Sequence, residues 1–312
     1  MTAIDLHTFE PITPPTRSVL CLGNFDGVHL GHRALVSEAL TQKAQLLTKY
    51  TDIKCGVWFF GRAPHDIISN QSTPKLTDLD QKLEIFSELG LDVAFIYEYE
   101  EVGRLSPEDF VRDILRKECG CIYAVCGYNF KFGKNAVGDA TLLTHLMDDN
   151  ATVVDRIELG KKNVCSSEIR SLISEGQIEE ANLLLGRRYS IHGTVVQGKQ
   201  LGRKLGIPTI NQSLIGNVAM PKNGIYVTRT LIDGRWLPSV SNVGVRPSVE
   251  NGANINCETY ILEFDGNLYG QNIRVEFIKR LRDEIKFESI ELLTKQINKD
   301  IEEAKKFFET EA

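Results

Sequence analysis

Short apolar runs alternate with stretches of helical period through the first part of the chain. Ser18–Phe25 (SVLCLGNF) and Ile53–Phe60 (IKCGVWFF) are mostly apolar along their length, the pattern of strands buried on both faces. Val93–Tyr99, Tyr123–Gly127 and Ala151–Ile157 repeat that pattern. Between them, Arg33–Lys49 and a stretch from about Asp78 to Leu89 carry helical spacing. Ser106-Pro107-Glu108 opens a further helix, with serine as its cap and proline in its first turn. Strand and helix in alternation predict a parallel sheet covered on both faces, an α/β fold that binds ligands at the carboxyl ends of its strands.

The period then changes. Two short helices, Ser166–Ser174 and Ile178–Leu185, end at Gly186, and Gly186-Arg187-Arg188-Tyr189 reads as the junction between domains 1–186 and 187–312. Beyond it, β-type runs are separated by glycine, asparagine and proline: His192–Val196, Gly224–Leu231, Trp236–Val243, Thr259–Phe264 and Ile273–Phe277. These predict a small antiparallel barrel or sandwich. Leu292, Leu293, Ile297 and Ile301 recur at helical spacing within Ser289–Phe308, marking a terminal helix that packs on it. No internal repeat or low-complexity tract interrupts either half.

Composition narrows the classes. The 312 residues suit two domains, and 42% hydrophobic with 25% charged residues is the profile of a folded chain. A net charge of −6 argues against a general binder of nucleic acid or of membrane surfaces. No apolar run reaches the roughly 18 residues that span a bilayer, and Met1–Pro15 lacks the apolar core of a secretory signal. The seven cysteines, Cys21, Cys55, Cys119, Cys121, Cys126, Cys165 and Cys257, lack metal-site or redox spacing and are expected to be buried thiols of a cytoplasmic protein. A monomer is the favoured state.

The first chemical constellation is Leu22–His32 (LGNFDGVHLGH), after a predicted strand and at the start of a helix. Its glycines let backbone approach a bulky ligand, and a helix N-terminus suits phosphate oxygens. His29 and His32, three apart, face one side and can donate to a triphosphate as charge develops. Neither a dinucleotide fingerprint nor a Walker loop fits. The string resembles the H-x-G-H signature of the nucleotidylyltransferase superfamily, which joins a nucleotide's α-phosphate to an acceptor and releases pyrophosphate. Ser166-Ser167-Glu168-Ile169-Arg170 is similar to that superfamily's second element, whose hydroxyls and arginine bind the β- and γ-phosphates.

The second constellation is basic. No acidic residue falls between Glu180 and Asp233, a stretch that holds Arg187, Arg188, Lys199, Arg203, Lys204, Lys222 and Arg229. That is either a local anion site or a solvated basic face. Within it, Gly198, Gly202 and Gly206 stand four apart and form a flexible flap, followed by Ile207-Pro208-Thr209-Ile210-Asn211. On an extended segment Thr209 and Asn211 point the same way, and a hydroxyl with an amide oxygen can complete a Mg²⁺ sphere otherwise made of phosphates and water. The string resembles G-x-x-x-G-R-x-x-G-x-P-T-x-N of the riboflavin kinase family. Ser241–Ser248 (SNVGVRPS), Glu258–Gly270 (ETYILEFDGNLYG) and Leu281–Phe287 (LRDEIKF) resemble further segments of that family. With its front half, the chain resembles the prokaryotic bifunctional riboflavin kinase/FMN adenylyltransferase family over nearly its full length.

The resemblance implies a Rossmann-like nucleotidylyltransferase domain with a parallel sheet, then an antiparallel β-barrel domain with a terminal helix. It implies Mg²⁺, ATP as co-substrate, and riboflavin and FMN as substrates. In the front domain Gly23, Asn24, Phe25, Asp26, His29, His32, Ser166, Ser167 and Arg170 would bind ATP, with His29, His32 and Arg170 assisting transfer. Gly127 and Asn129, within Gly127–Gly133 (GYNFKFG), would meet the flavin. In the rear domain Gly198, Lys199, Gly202, Arg203, Gly206, Thr209 and Asn211 would hold ATP, with the metal at Thr209 and Asn211. Glu258 would be the catalytic base, and Arg246, Arg282 and Phe287 would shape the flavin site. The chain departs from the family at Arg62-Ala63, where Pro-His is usual, at Asn129 and at Cys165. Those departures leave a monofunctional riboflavin kinase with an altered front domain as the alternative, and a non-enzymatic flavin-binding regulator as a third reading.

Overall fold

The computed structural model describes all residues except 71, 199–201, 203–204, 215, 248–252 and 312, and of 245–247, 253–255 and 311 it describes the backbone. Lys199 and Arg203 of the proposed flap therefore lie outside the described residues, as does the Arg246 side chain. The chain folds into two compact units, Met1–Thr73 with Thr77–Ser166 and Pro74–Leu76 with Ser167–Ala312.

The first unit is built on a six-stranded sheet. Its strands are β1 (Thr2–Asp5), β2 (Ser18–Leu22), β3 (Lys54–Phe60), β4 (Val93–Tyr97), β5 (Cys121–Gly127) and, after a short ribbon of β6 (Lys131–Phe132) with β7 (Gly138–Asp139), β8 (Ala151–Val154). The order across the sheet is β1-β4-β3-β2-β5-β8. All neighbours run parallel except β1, which pairs antiparallel with β4. β1 was not foreseen: it is four residues long and half polar, and only pairing with β4 makes it a strand. β2, β4 and most of β3 are buried at every position, because helices cover both faces. The helix Leu30–Leu46 packs Leu35, Val36 and Ala39 into one core with Phe25, Phe59 and Phe86. On the other face Trp58, Tyr97, Phe110 and Leu115 form the second core. The helix opened by Ser106 widens past Pro107–Asp109, so that Cys119 N–H reaches Ile114 O five residues back.

The second unit is a closed antiparallel barrel, which decides between the two architectures foreseen. A two-residue ribbon of β9 (Glu158–Leu159) and β10 (Lys162–Asn163) precedes it in the chain. Its strands are β11 (Tyr189–Val196), β12 (Thr209–Leu214), β13 (Gly224–Ile232), β14 (Arg235–Pro247), β15 (Ala253–Ile261) and β16 (Asn272–Arg282), in the order β11-β12-β15-β14-β13-β16. The helices Ser166–Glu175 and Ile178–Leu185 pack in this unit: Asn182 donates to Phe277 O at 2.9 Å and accepts from Tyr189 N at 2.7 Å. The terminal helix Ile290–Glu311 lays Ile297, Ile301 and Ala304 on Ile207, Ile225 and Val240 of the barrel's outer wall. Burying such aliphatic side chains contributes about 1.5–3 kcal/mol each before entropy is counted. Leu292 falls off that stripe and is exposed.

Among the cysteines, Cys21, Cys55, Cys119, Cys121, Cys126 and Cys257 are buried free thiols as expected. Cys165 is a correction: it stands exposed in the turn before Ser166, outside either core. Among the described residues no helix is long and apolar enough to cross a membrane.

Candidate active sites

In the first unit the chain order turns back at β2 and β5: β3 and β4 lie to one side of β2, and β5 and β8 to the other. The carboxyl end of such a switch strand leaves a crevice, and Gly23–His32 fills the turn that leaves β2. Its backbone is strained. Phe25 and Val28 have φ of 52° and 38°, and Gly27 has φ of 83°. A left-handed non-glycine residue costs about 1–2 kcal/mol, and a β-branched one such as Val28 is a true outlier. The Phe25 ring is fully buried against Phe86 and pins the turn from below. His29 is the N-cap of the helix Leu30–Leu46, and its Nδ1 accepts the His32 N–H at 3.3 Å. In the neutral ring Nε2 therefore carries the hydrogen. The two imidazoles stack at 3.7 Å, so both predicted histidines stand together where the helix offers its N–H groups.

Several residues that sequence reasoning missed hold this turn. Gly27 N donates to Thr77 Oγ1 at 3.0 Å, and Thr77 N donates to Asp26 Oδ1 at 3.4 Å. Lys82 Nζ donates to Asn24 O at 3.2 Å and lies over the Phe59 ring. Ser166 Oγ donates to Asp26 O at 2.9 Å, which brings one of the two predicted serines to the turn. Ser167 and Arg170 lie in the first turns of the helix Ser166–Glu175, within the second unit. Gly127 ends β5, and Asn129 sits in the turn after it, where Phe130 N closes on Gly127 O at 3.0 Å. Arg62 and Ala63 follow β3, with Ala63 capping the helix Pro64–Ile68.

The second unit carries a cavity of about 280 Å³ between the barrel's outer wall and the terminal helix. Strand alternation decides who faces it. On β15, Cys257, Thr259 and Ile261 point inward and are buried, so Asn256, Glu258 and Tyr260 point outward. Asn211 of β12 and Asn242 of β14 stand directly opposite Glu258, one on each side. Thr209 stands opposite Tyr260. Asn256 Nδ2 bridges the row, donating to Glu258 Oε1 at 3.0 Å and to Asn211 Oδ1 at 3.2 Å. Neither Asn256 nor Asn242 was singled out from the sequence. The signal for Asn256 was its place two residues before Glu258, on the same strand face. Asn242 lines the cavity, and its Oδ1 is shut from solvent without a hydrogen-bond partner.

Two glycines of the proposed flap, Gly198 and Gly202, lie close to this row. A side chain at Gly198 would run into the Asn211 amide, so only glycine permits that approach. Gly202 packs beside Ile207 and Thr209 and lines the cavity, and Gly206 turns with φ of 75°. Arg282 and Phe287 line the cavity. Arg282 also grips the buried Asp300 through two bonds of 2.9 and 2.6 Å, which ties β16 to the terminal helix. Among the described residues no group of three or more His, Cys, Asp or Glu could hold a metal ion. The Thr209 hydroxyl and Asn211 amide oxygen are neutral hard donors, a set that fits Mg²⁺ when phosphate oxygens complete the shell.

Two family models match the chain, FAD synthetase over residues 12–168 and riboflavin kinase over residues 185–308. The bifunctional riboflavin kinase/FMN adenylyltransferase of Bacillus subtilis is 32% identical over 94% of this chain and 93% of its own length. The enzyme of the same name from Escherichia coli K12 is 32% identical over 95% of this chain and 94% of its own. A crystal structure of a macrolide-efflux protein from Streptococcus pneumoniae matches with a TM-score of 0.85 at 26% identity, covering 96% of this chain and 97% of that one. Two differently folded units, an α/β sheet and a closed barrel, agree with the two family models. The chain belongs to the bifunctional riboflavin kinase/FMN adenylyltransferase family.

Proposed function

We infer that the chain makes flavin cofactors in two ATP-dependent steps, phosphorylating riboflavin to FMN and joining FMN to an adenylyl group to give FAD and pyrophosphate. The kinase chemistry draws on residues 187–312 and the adenylyltransferase chemistry on residues 1–186. The observation that carries the reading is the row of Asn211, Glu258 and Asn242 abreast on three neighbouring strands beside an apolar-walled cavity.

Glu258 takes the proton of the flavin's terminal hydroxyl as that oxygen attacks the γ-phosphorus of ATP. Its contact with Asn256 fixes the carboxylate's direction. Ile207, Ile225, Val240 and Ile297 supply the apolar wall that a planar ring system needs, and Phe287 adds an aromatic face. Thr209 and Asn211 would hold Mg²⁺ with ATP, where the ion neutralises phosphate charge. Gly198–Gly206 covers the nucleotide.

In the front unit the FMN phosphate attacks the α-phosphorus, and the helix N-terminus with His29 and His32 stabilises the charge that moves onto the leaving pyrophosphate. Ser166, whose hydroxyl reaches Asp26 O of the turn, would meet the outer phosphates. The chain is then an enzyme in both halves, and Arg62-Ala63, Asn129 and Cys165 tune the front half without removing its phosphate-binding turn. Incubating the full chain with riboflavin, ATP and Mg²⁺ and resolving the flavins by chromatography tests this. FMN followed by FAD is expected. Absence of FMN removes the kinase reading, and FMN that never becomes FAD removes the adenylyltransferase reading.

A further inference from the structure

We propose that Thr77 and Lys82 are positioning residues for adenylyl transfer, clamping the Asn24–Val28 turn in the strained shape that receives the nucleotide. The inference rests on the reading of that turn as the ATP site of the front unit.

Strained backbone persists only where its surroundings over-determine it. Here two non-glycine residues, Phe25 and Val28, sit in the left-handed region within four positions of each other. Besides the turn's own Val28 N–H to Phe25 O bond at 3.3 Å, it is held by residues fifty or more positions away in sequence. Thr77 grips the turn at two adjacent residues: its hydroxyl accepts from the Gly27 backbone N–H and its own N–H donates to the Asp26 carboxylate at Oδ1. Lys82 holds the next carbonyl but one, Asn24 O. Both are buried, at 2% and 7% exposure.

They are also rigidly based. Asp78 and Gln81 form a reciprocal capping box at the start of the helix Leu79–Glu88, so Thr77 and Lys82 project from one fixed helix end. A lysine in the first turn of a helix opposes the helix dipole, and a buried ammonium loses hydration. Helix stability alone therefore argues against Lys82 at this place. Its ammonium lies against a turn that carries the Asp26 carboxylate as well as His29 and the N-terminus of the helix Leu30–Leu46, so the bond to Asn24 O is held in a charged setting.

The test uses Thr77→Val, which keeps shape and removes the hydroxyl, Thr77→Ser, which restores it, and Lys82→Met. With FMN as substrate, T77V and K82M should raise the KM for ATP about tenfold, the loss of one buried hydrogen bond, with a smaller change in kcat. T77S should return it to the wild-type value. Phosphorylation of riboflavin by the same chains should not change. A wild-type KM for ATP in T77V, failure of T77S to rescue, or an equal loss in both reactions would overturn the proposal. Amide exchange at Gly27 reads the clamp without turnover. Faster exchange in T77V, reversed in T77S, supports it, and unchanged exchange overturns it. A wild-type chain that makes no FAD from FMN refutes the site reading instead, and the exchange result still decides the clamp.

Discussion

Replacing Glu258 with glutamine keeps the side chain's length and an oxygen that can accept from Asn256, and removes only the proton acceptor. Riboflavin phosphorylation by E258Q should fall by about 10²–10⁴-fold while flavin binding, followed by fluorescence, stays close to wild type. Loss of binding together with turnover would instead mark Glu258 as a packing residue. Asn242 makes a second case. Its enclosed, unpartnered Oδ1 costs about 1–3 kcal/mol, which an isosteric apolar side chain would not incur. Asn242→Leu should therefore leave the urea midpoint unchanged or raise it, and weaken riboflavin phosphorylation. A lowered midpoint with full activity would contradict this. Thr209 and Asn211 were legible because they follow a compact string of glycines and a proline, and Glu258 only through the resemblance of Glu258–Gly270 to a family segment. Asn256, Thr77 and Lys82 were not, because what they do depends on strand face and on contacts across fifty residues.

The barrel wall shows at the level of elements what alternation can and cannot reveal. Thr228 and Thr230 of β13, Ser239 and Ser241 of β14 and Thr259 of β15 are all fully buried inside the barrel. Their hydroxyls form a continuous chain: Thr230 with Ser239 at 2.9 Å, Ser239 with Thr228 at 2.9 Å, Thr228 with Ser241 at 2.8 Å and Ser241 with Thr259 at 2.7 Å. A hydroxyl gives and accepts, so each member satisfies its neighbours. In sequence these residues look like a solvent face. The true outward positions are Arg229, paired with Glu276 and lying over Trp236, and the cavity-facing Val240 and Asn242. β12 was read only as an extended segment around Thr209, since its polar run TINQSL has no apolar alternation to announce a strand. Ser241→Ala takes out a middle link and leaves Thr228 and Thr259 short of a partner. It should destabilise the second unit by about 1–3 kcal/mol, measured as a lower urea midpoint. An unchanged midpoint would show that the chain of hydroxyls carries no stability.

For the molecule as a whole, burial decides which groups answer to reagents and to pH. Burial pushes the Cys257 thiol up to about 11 and those of Cys55, Cys119 and Cys126 up to about 12. A thiol-specific reagent at neutral pH should modify Cys165 in the folded chain and all seven cysteines only after unfolding. Rapid modification of a second thiol would contradict the core described. Asp92 joins the helix Leu30–Leu46 to the sheet through Lys43 at 2.6 Å and the Cys55 N–H at 2.7 Å. Burial works to raise its pKa, but these partners together hold it below the ordinary value of 3.8. A carboxylate depressed in the fold stabilises fully above that ordinary value and loses its contribution as pH falls through the depressed one. The stability gap between the wild type and Asp92→Asn should therefore be widest near neutrality and close below about pH 4.

The alternation of apolar strands and helices was enough to foresee the parallel sheet, and the change of period was enough to foresee a β unit, because buried strands and helix faces leave long regular signals. The periodicity left barrel and sandwich open, since closure depends on β11 pairing with β16 across nearly the whole unit, and only the family resemblance pointed to the barrel. The account's central claim is that one chain carries two separate ATP-using centres. Supplying FMN and ATP to E258Q, and riboflavin and ATP to His32→Ala, tests it most directly, with products resolved by chromatography. The first variant should make FAD at the wild-type rate, and the second should make FMN and stop there. A single substitution that abolished both products would contradict two independent centres.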